Sequence, residues 1–207
     1  MQRLLLGSAS PRRKQLLEML HIPFEVVHID CEEHYPGNLK KEQIPMFLSQ
    51  QKARAYEGLN TGEMLLTADT IVWVDGIVLG KPADAEDAKR MLRMLSGRTH
   101  LVFTGVTLRE RDPFVPKEGL RGQPNPKETE HGTTFFDATE VTFNSLTDRQ
   151  IDYYIENYRP FDKAGAYGCQ DWIGAVAIKH INGSFYNVMG LPVHLVAKEL
   201  EKKGLLI

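Results

Sequence analysis

Cysteine is scarce in this chain: only Cys31 and Cys169 occur among 207 residues, far apart and outside any C-x-x-C spacing. That excludes a disulfide framework and a thiolate zinc site, and both read as reduced thiols. Long apolar runs are also missing. Hydrophobic residues make up 42% and charged residues 25%, the balance of an ordinary globular protein, and no segment reads as a membrane span. The opening MQRLLLG carries one cation and too short an apolar stretch for a secretory signal, so the expected location is cytoplasmic. Nor is there an excess of positive charge. A net charge of -2 argues against a nucleic-acid surface but permits a local cationic pocket for a small anion. Neither G-x-x-x-x-G-K before Ser or Thr nor G-x-G-x-x-G is present, which removes both standard nucleotide loops.

What is present alternates between strand and helix early and between paired strands later. Leu4 to Leu6 and Phe24 to Ile29 read as strands around a helix that Ser10 caps and Pro11 begins, with Leu16, Leu17 and Leu20 as its buried stripe. Ile44, Phe47, Leu48 and Ala55 mark a second helix. Leu65 to Val74 then predicts a strand that turns at Asp75-Gly76 and returns through Ile77 to Leu79. A third helix follows Pro82, capped by Asp84 and stopped by Ser96-Gly97. Thr99 to Leu108 and Thr134 to Phe143 predict strands flanking a Pro-, Gly- and charge-rich excursion. Thr147-x-x-Gln150 is a capping box before a further helix, Ile173 to Ile181 predicts a late strand, and a last helix runs from Pro192 towards Lys203. The expected fold is α/β: a mixed, twisted β-sheet flanked by helices, in one domain over 1–207 with an exposed insertion at about 109–132.

Several residues sit badly in that pattern. Arg12, Arg13 and Lys14 occupy the first turn of a helix, where the macrodipole disfavours cations, and an anion would remove the conflict. They read equally well as solvated charge. Lys52 lies beside the apolar stripe of the second helix, where snorkelling alone would account for it. Asp69 and Thr70 interrupt an otherwise apolar strand, and a buried carboxylate is costly unless it is paired, ligated or protonated. Cys31-Glu32-Glu33 adds acidic groups after the second strand, and Gly80-Lys81-Pro82 a further lysine. Together these suit phosphoanhydride hydrolysis. Glu33 and Asp69 could hold a divalent ion or activate water, while Arg12, Arg13, Lys52 and Lys81 neutralise phosphate charge and Ser8 adds a neutral donor.

S-x-S-P-R-R at the start, Glu32-Glu33, Gln51-Lys52-Ala53, Ala68 to Val72, Gly80 to Pro82, Leu95 to Gly97, Asp162 to Gly168 and Gly190 to Pro192 together resemble the Maf family over nearly the whole chain. The resemblance implies a fold akin to inosine triphosphate pyrophosphatases, and cleavage of nucleoside triphosphates to a monophosphate and pyrophosphate with Mg²⁺ or Mn²⁺. It also implies a homodimer, with a nucleotide and neither nucleic acid nor membrane as partner. The family was first associated with inhibition of septum formation in bacteria. By resemblance Asp69 is the proton acceptor and Glu33 assists at the metal, while Ser8, Arg13, Lys52 and Lys81 contact phosphates. Arg12, Thr70 and Gln170 match the branch that hydrolyses dTTP and UTP. A branch acting on 7-methyl-GTP and a non-catalytic nucleotide sensor of division are the alternatives. The Gln170 amide can both donate and accept, which suits the imide edge of a pyrimidine. Asp162 to Gly168 is expected to wall the base side of the pocket, and Asn182-Gly183-Ser184-Phe185 to run along the same cleft. Thr67 stands where the family usually has glycine, and the excursion from Arg109 to Gly132 is longer than the usual connection.

Overall fold

The computed structural model describes residues 2–111 and 130–206. Its framework is a seven-stranded sheet in the order β2-β1-β3-β5-β6-β7, with β4 paired to β3 outside that path. β1 (Arg3–Leu6) lies parallel to both β2 (Phe24–Val26) and β3 (Glu63–Val74), whereas β5 (Thr99–Arg111), β6 (Glu130–Phe143) and β7 (Ile178–Asn182) continue antiparallel. The expected mixed sheet is therefore present. β4 (Ile77–Leu79) returns antiparallel on β3 through Asp75 and Gly76, both left-handed at φ 49 and 84.

Residues of β3 alternate between two cores because successive side chains of a strand face opposite ways. Met64, Leu66 and Ala68 pack with Leu16 and Leu17 of α1 (Pro11–Glu18) and Val196 of α7 (Val193–Lys202). Further along the same face, Val72 and Val74 join Leu92 of α3 (Ala85–Leu95) and Tyr154 of α4 (Asp148–Tyr158). Leu65 and Ile71 point the other way, onto Ala53 and Leu48 of α2 (Gln43–Ala55). Asp69 and Lys52 share that second face. α2 comes down very close there: a Cβ on Gly105, the register partner of Asp69, would lie 2.4 Å from the backbone of Pro45 and Met46. Glycine lets helix and sheet approach closely enough for Lys52 to reach Asp69.

The caps follow the sequence. The Ser10 hydroxyl accepts from the Arg13 amide, Asp84 from the Asp87 amide, and Thr147 with Gln150 completes a capping box. Each such cap stabilises its helix by about 1 kcal/mol.

Three readings need correction, and one helix was not foreseen. The strand expected to reach Ile29 stops at Val26. Ile173 to Ile181 is not one strand: Trp172–Ala177 forms α5 and the strand starts only at Ile178. The buried members of the segment are Ile173, Gly174 and Ala177, a helical spacing that a short apolar run conceals. β5 and β6 pass the expected limits of Leu108 and Thr134, pairing as far as Arg111 with Glu130. The charges there find partners: Arg109 donates to the Tyr56 carbonyl at 2.8 Å, Arg111 to that of Leu59 at 3.1 Å, and Glu110 accepts from Gln2 at 3.1 Å. The remainder of the excursion, 112–129, lies outside the described residues. Finally, α6 (Phe185–Met189) follows Ser184, whose side chain accepts from the Asn187 amide.

Candidate active site

β1 ends at Leu6, opposite Leu66, and β4 pairs with β3 only from Val72 onward. Between them, residues 67–71 of β3 have no strand partner on that edge among the described residues, leaving a notch in the sheet open to both faces. A cavity of about 500 Å³ occupies it. From the strand floor Asp69 and Thr70 line the cavity; from the β1–α1 junction come Ser8, Arg12 and Arg13. Glu33, Lys52, Lys81 and Gln170 complete the set, so all nine residues that the resemblance assigns to the site border one crevice. Asp162, Lys163, Tyr167 and Gly168 line it too. The stretch Asn182–Phe185 does not; Val188, Met189 and Gly190, just beyond it, do. Ser184 instead faces Thr139, whose hydroxyl accepts from its amide at 3.1 Å.

The anomalous lysine and the anomalous aspartate account for each other. Lys52 Nζ donates to Asp69 Oδ1 at 2.5 Å and lies 2.9 Å from Glu33 Oε1. Asp69 is 7% exposed, so without this partner its charge would be expensive. Burial pushes the Glu33 carboxyl upward, but Lys52, Lys81 and Arg13 more than offset it and hold Glu33 below the usual glutamate range.

Arg13 is held differently, by neutral groups. Its Nε donates to the Gly190 carbonyl at 2.8 Å, Nη2 to Thr70 Oγ1 at 3.1 Å and Nη1 to Ser8 Oγ at 3.5 Å. Burial lowers its pKa, against an upward pull from Asp69, yet a guanidinium stays charged at neutral pH. Arg12 is neutralised instead: Nη1 lies 2.5 Å from Asp162 Oδ2 and Nη2 3.2 Å from the Asp162 carbonyl. Lys163 reaches the other oxygen of Asp162 at 2.8 Å. Burial opposes ionisation of Asp162, and hydrogen bonds from Lys163 and Arg12 overcome it, bringing the carboxyl down to about 2. Lys14 turns away to Glu18 at 3.8 Å. Lys81 makes no hydrogen bond or ion pair among the described residues. Of the cations lining the cavity, Arg13 and Lys81 are thus the two without a carboxylate partner.

Sequence reasoning missed Lys163, the Asp162 to Arg12 bridge and the Gly190 carbonyl. Lys163 stood inside a motif already noted, but its contacts depend on a fold that brings residue 162 back to residue 12. Tyr167 is buried, with its hydroxyl 2.8 Å from His100 Nε2 and its ring edge-on to Phe143 at 4.9 Å. Its hydroxyl is therefore engaged away from the cavity. The loop is fixed further by Tyr154, whose hydroxyl donates to Asp171 at 2.8 Å and accepts from the Gly168 amide at 3.1 Å. Gln170 is exposed, and its Oε1 lies 3.7 Å from Cys169 Sγ.

The donor set suits a hard divalent cation. No cluster of three or more His, Cys, Asp or Glu occurs among the described residues, which argues against a cage made wholly of protein. Two neighbouring carboxylates are present, and neither Glu33 Oε2 nor Asp69 Oδ2 accepts a hydrogen bond among the described residues. Two such carboxylates suit a hard divalent cation whose remaining ligands are phosphate oxygens and water. No helix among the described residues is long and apolar enough to cross a membrane.

A "dTTP/UTP pyrophosphatase" of Porphyromonas gingivalis is 48% identical over 206 residues, covering 98% of this chain and 94% of that one. Proteins of the same name in Phocaeicola vulgatus and Cytophaga hutchinsonii are 46% and 47% identical, over 97% and 96% of this chain and 95% and 83% of theirs. The family model described as "Maf-like protein" matches residues 3–203. Matched by that model over residues 3–203 and by relatives across nearly its whole length, the chain belongs to the Maf family.

Proposed function

We propose that this protein hydrolyses dTTP and UTP to the nucleoside monophosphate and pyrophosphate. The observation that carries the reading is the meeting of Glu33 and Asp69 on the Lys52 ammonium, in a cavity that also presents Arg13 and Lys81 without carboxylate partners. Relatives sharing nearly half of its residues bear the name dTTP/UTP pyrophosphatase, which supports that choice of substrate.

In this reading Arg13 and Lys81 bind the triphosphate, with the Ser8 hydroxyl and the Arg12 amide as neutral donors. Arg12 joins them by exchanging Asp162 for phosphate oxygen. Asp69 accepts the proton of the water that attacks the α-phosphorus, and the Lys52 hydrogen bond keeps that carboxylate aimed. Glu33 and Asp69 would hold Mg²⁺ or Mn²⁺, which when bound supplies positive charge to the phosphate oxygens. Gln170 and Thr70 select the base: Gln170 through its amide, Thr70 by fixing Arg13 and so the lie of the triphosphate. One Maf-like domain spanning 1–207, a homodimeric assembly and a cytoplasmic location complete the proposal.

The test is pyrophosphate release from a panel of nucleoside triphosphates with Mg²⁺. Preference for dTTP and UTP is expected, and Asp69→Asn should abolish turnover while nucleotide affinity stays within about tenfold. Preference for 7-methyl-GTP would move the protein to the purine branch. Release from no nucleotide would favour a sensor.

A further inference from the structure

Thr104, on β5 behind the cavity, is fully buried and does not line the crevice. Its hydroxyl lies 3.0 Å from Thr70 Oγ1 and 3.2 Å from the carbonyl oxygen of Asn187. Proton bookkeeping and the shorter distances together favour one direction for these bonds. A guanidinium can only donate, so Thr70 must accept from Arg13 Nη2. The single Thr70 proton then goes to Thr104 at 3.0 Å in preference to the Gly190 carbonyl at 3.5 Å. Thr104, having accepted, passes its own proton to Asn187.

The Asn187 carbonyl also accepts from the Gly190 amide at 3.0 Å, and the Gly190 carbonyl accepts from Arg13 Nε at 2.8 Å. The chain is therefore a closed ring: Arg13, Thr70, Thr104, the Asn187 carbonyl, Gly190 and back to Arg13. Gly190 fits it by adopting φ +117, and a Cβ there would lie 3.6 Å from Thr70 Oγ1. Asn187, itself fully buried, anchors the far side: its Nδ2 donates to the Val102 carbonyl at 3.1 Å and to Thr139 Oγ1 at 3.0 Å. Along the arm from Arg13 through Thr70 and Thr104 to the Asn187 carbonyl the hydrogen bonds run head to tail and polarise one another in a buried setting, while the Gly190 arm closes the ring onto the same carbonyl, so Arg13 is held at both ends.

We propose that Thr104 is a positioning residue: it never meets the substrate, and it orients the Arg13 guanidinium for phosphate from both ends of that ring. The inference rests on the reading of the crevice as a triphosphate site. It goes beyond that reading by giving a role to a residue that no sequence motif marked.

The test is a double-mutant cycle with two readouts, kcat/KM for dTTP and the affinity for inorganic pyrophosphate by calorimetry. Thr104→Val keeps the shape of the side chain and removes the hydroxyl. It should lower both readouts about five- to thirtyfold, with Thr104→Ser returning them to within about twofold of the wild type. In an Arg13→Ala background the same substitution should cost less than about twofold, because its target is gone. Equal losses in both backgrounds, or no loss in either, would overturn the proposal. If Thr104→Val does not fold, Thr104→Ala runs the same cycle. A wild type that binds pyrophosphate but hydrolyses no nucleotide defeats the functional reading, and the binding cycle still decides the role of Thr104.

Discussion

Replacing Arg13 by alanine should damage the enzyme far more than replacing Arg12, although the two arginines are adjacent in sequence and line the same cavity. The difference lies in what each gives up. Arg12 already faces Asp162 at 2.5 Å, so phosphate gains it only by breaking an ion pair that is already made. Arg13 rests on two hydroxyls and a carbonyl, and its charge is available. A unit charge about 4 Å from a phosphate is worth about 4 kcal/mol at an effective dielectric constant of 20, and a hydrogen bond to a charged group about 1.5–3 kcal/mol. Arg13→Ala should therefore cost about 2–4 kcal/mol in transition-state binding, a loss of roughly 30- to 1000-fold in kcat/KM. Arg12→Ala should cost under about tenfold, its net gain being a difference between two ion pairs. Arg13→Lys keeps the charge but loses the fork that holds Gly190 and Thr70 together, so it should recover only a small part of the loss. Steady-state pyrophosphate release from dTTP at low salt measures all three. An Arg12→Ala loss equal to or larger than that of Arg13→Ala, or an unimpaired Arg13→Lys, would refute the charge accounting.

Asp162→Asn should free Arg12 and Lys163 for the substrate and lower KM for dTTP by about two- to tenfold, with a steeper dependence on salt; a raised KM would show that Asp162 organises the site more than it competes for it. His100, buried beside Tyr167 and Phe143, is brought by desolvation from 6.5 to about 4, so the unfolded chain binds a proton there that the folded chain refuses. Its contribution is complete above about pH 6.5 and is lost as pH falls towards 4, about 3 kcal/mol in all. In urea titrations across that window His100→Phe should lose stability less steeply than the wild type; parallel curves would place the proton elsewhere. Gln170→Ala should bring the kcat/KM values for dTTP, UTP and the purine triphosphates closer together with little loss of turnover, and an unchanged ranking would remove Gln170 from base selection.

Much of the framework could be read from local chemistry. Ser10-Pro11, Asp84, the Asp75-Gly76 turn and the Thr147 to Gln150 box each specify a boundary through one or two hydrogen bonds or a backbone angle, and tertiary packing left them where they were. Trp172–Ala177 went unread because six apolar or small residues carry too little periodicity to separate helix from strand. The ends of β5 and β6 were hidden by Arg109 to Arg111, whose charges resemble a loop until the carbonyls of Ala53, Tyr56 and Leu59 receive the two arginines and Gln2 and Lys203 meet Glu110. At the crevice the odd residues were visible for a physical reason: an aspartate within an apolar strand and a lysine on an apolar stripe are both costly alone. What no spacing could disclose was that they bond to each other, since that depends on the close approach of α2 to β5 over Gly105. The notch was hidden likewise, because it arises from where β1 stops and β4 starts along β3.

In the proposed reaction, water deprotonated by Asp69 attacks the α-phosphorus of a triphosphate gripped by Arg13 and Lys81. Hydrolysis of dTTP in ¹⁸O-labelled water, with both products weighed by mass spectrometry, tests that claim most directly. The label should appear in dTMP and not in pyrophosphate, and Asp69→Asn should leave both products absent. Label in the pyrophosphate, or release of inorganic phosphate in place of pyrophosphate, would contradict it.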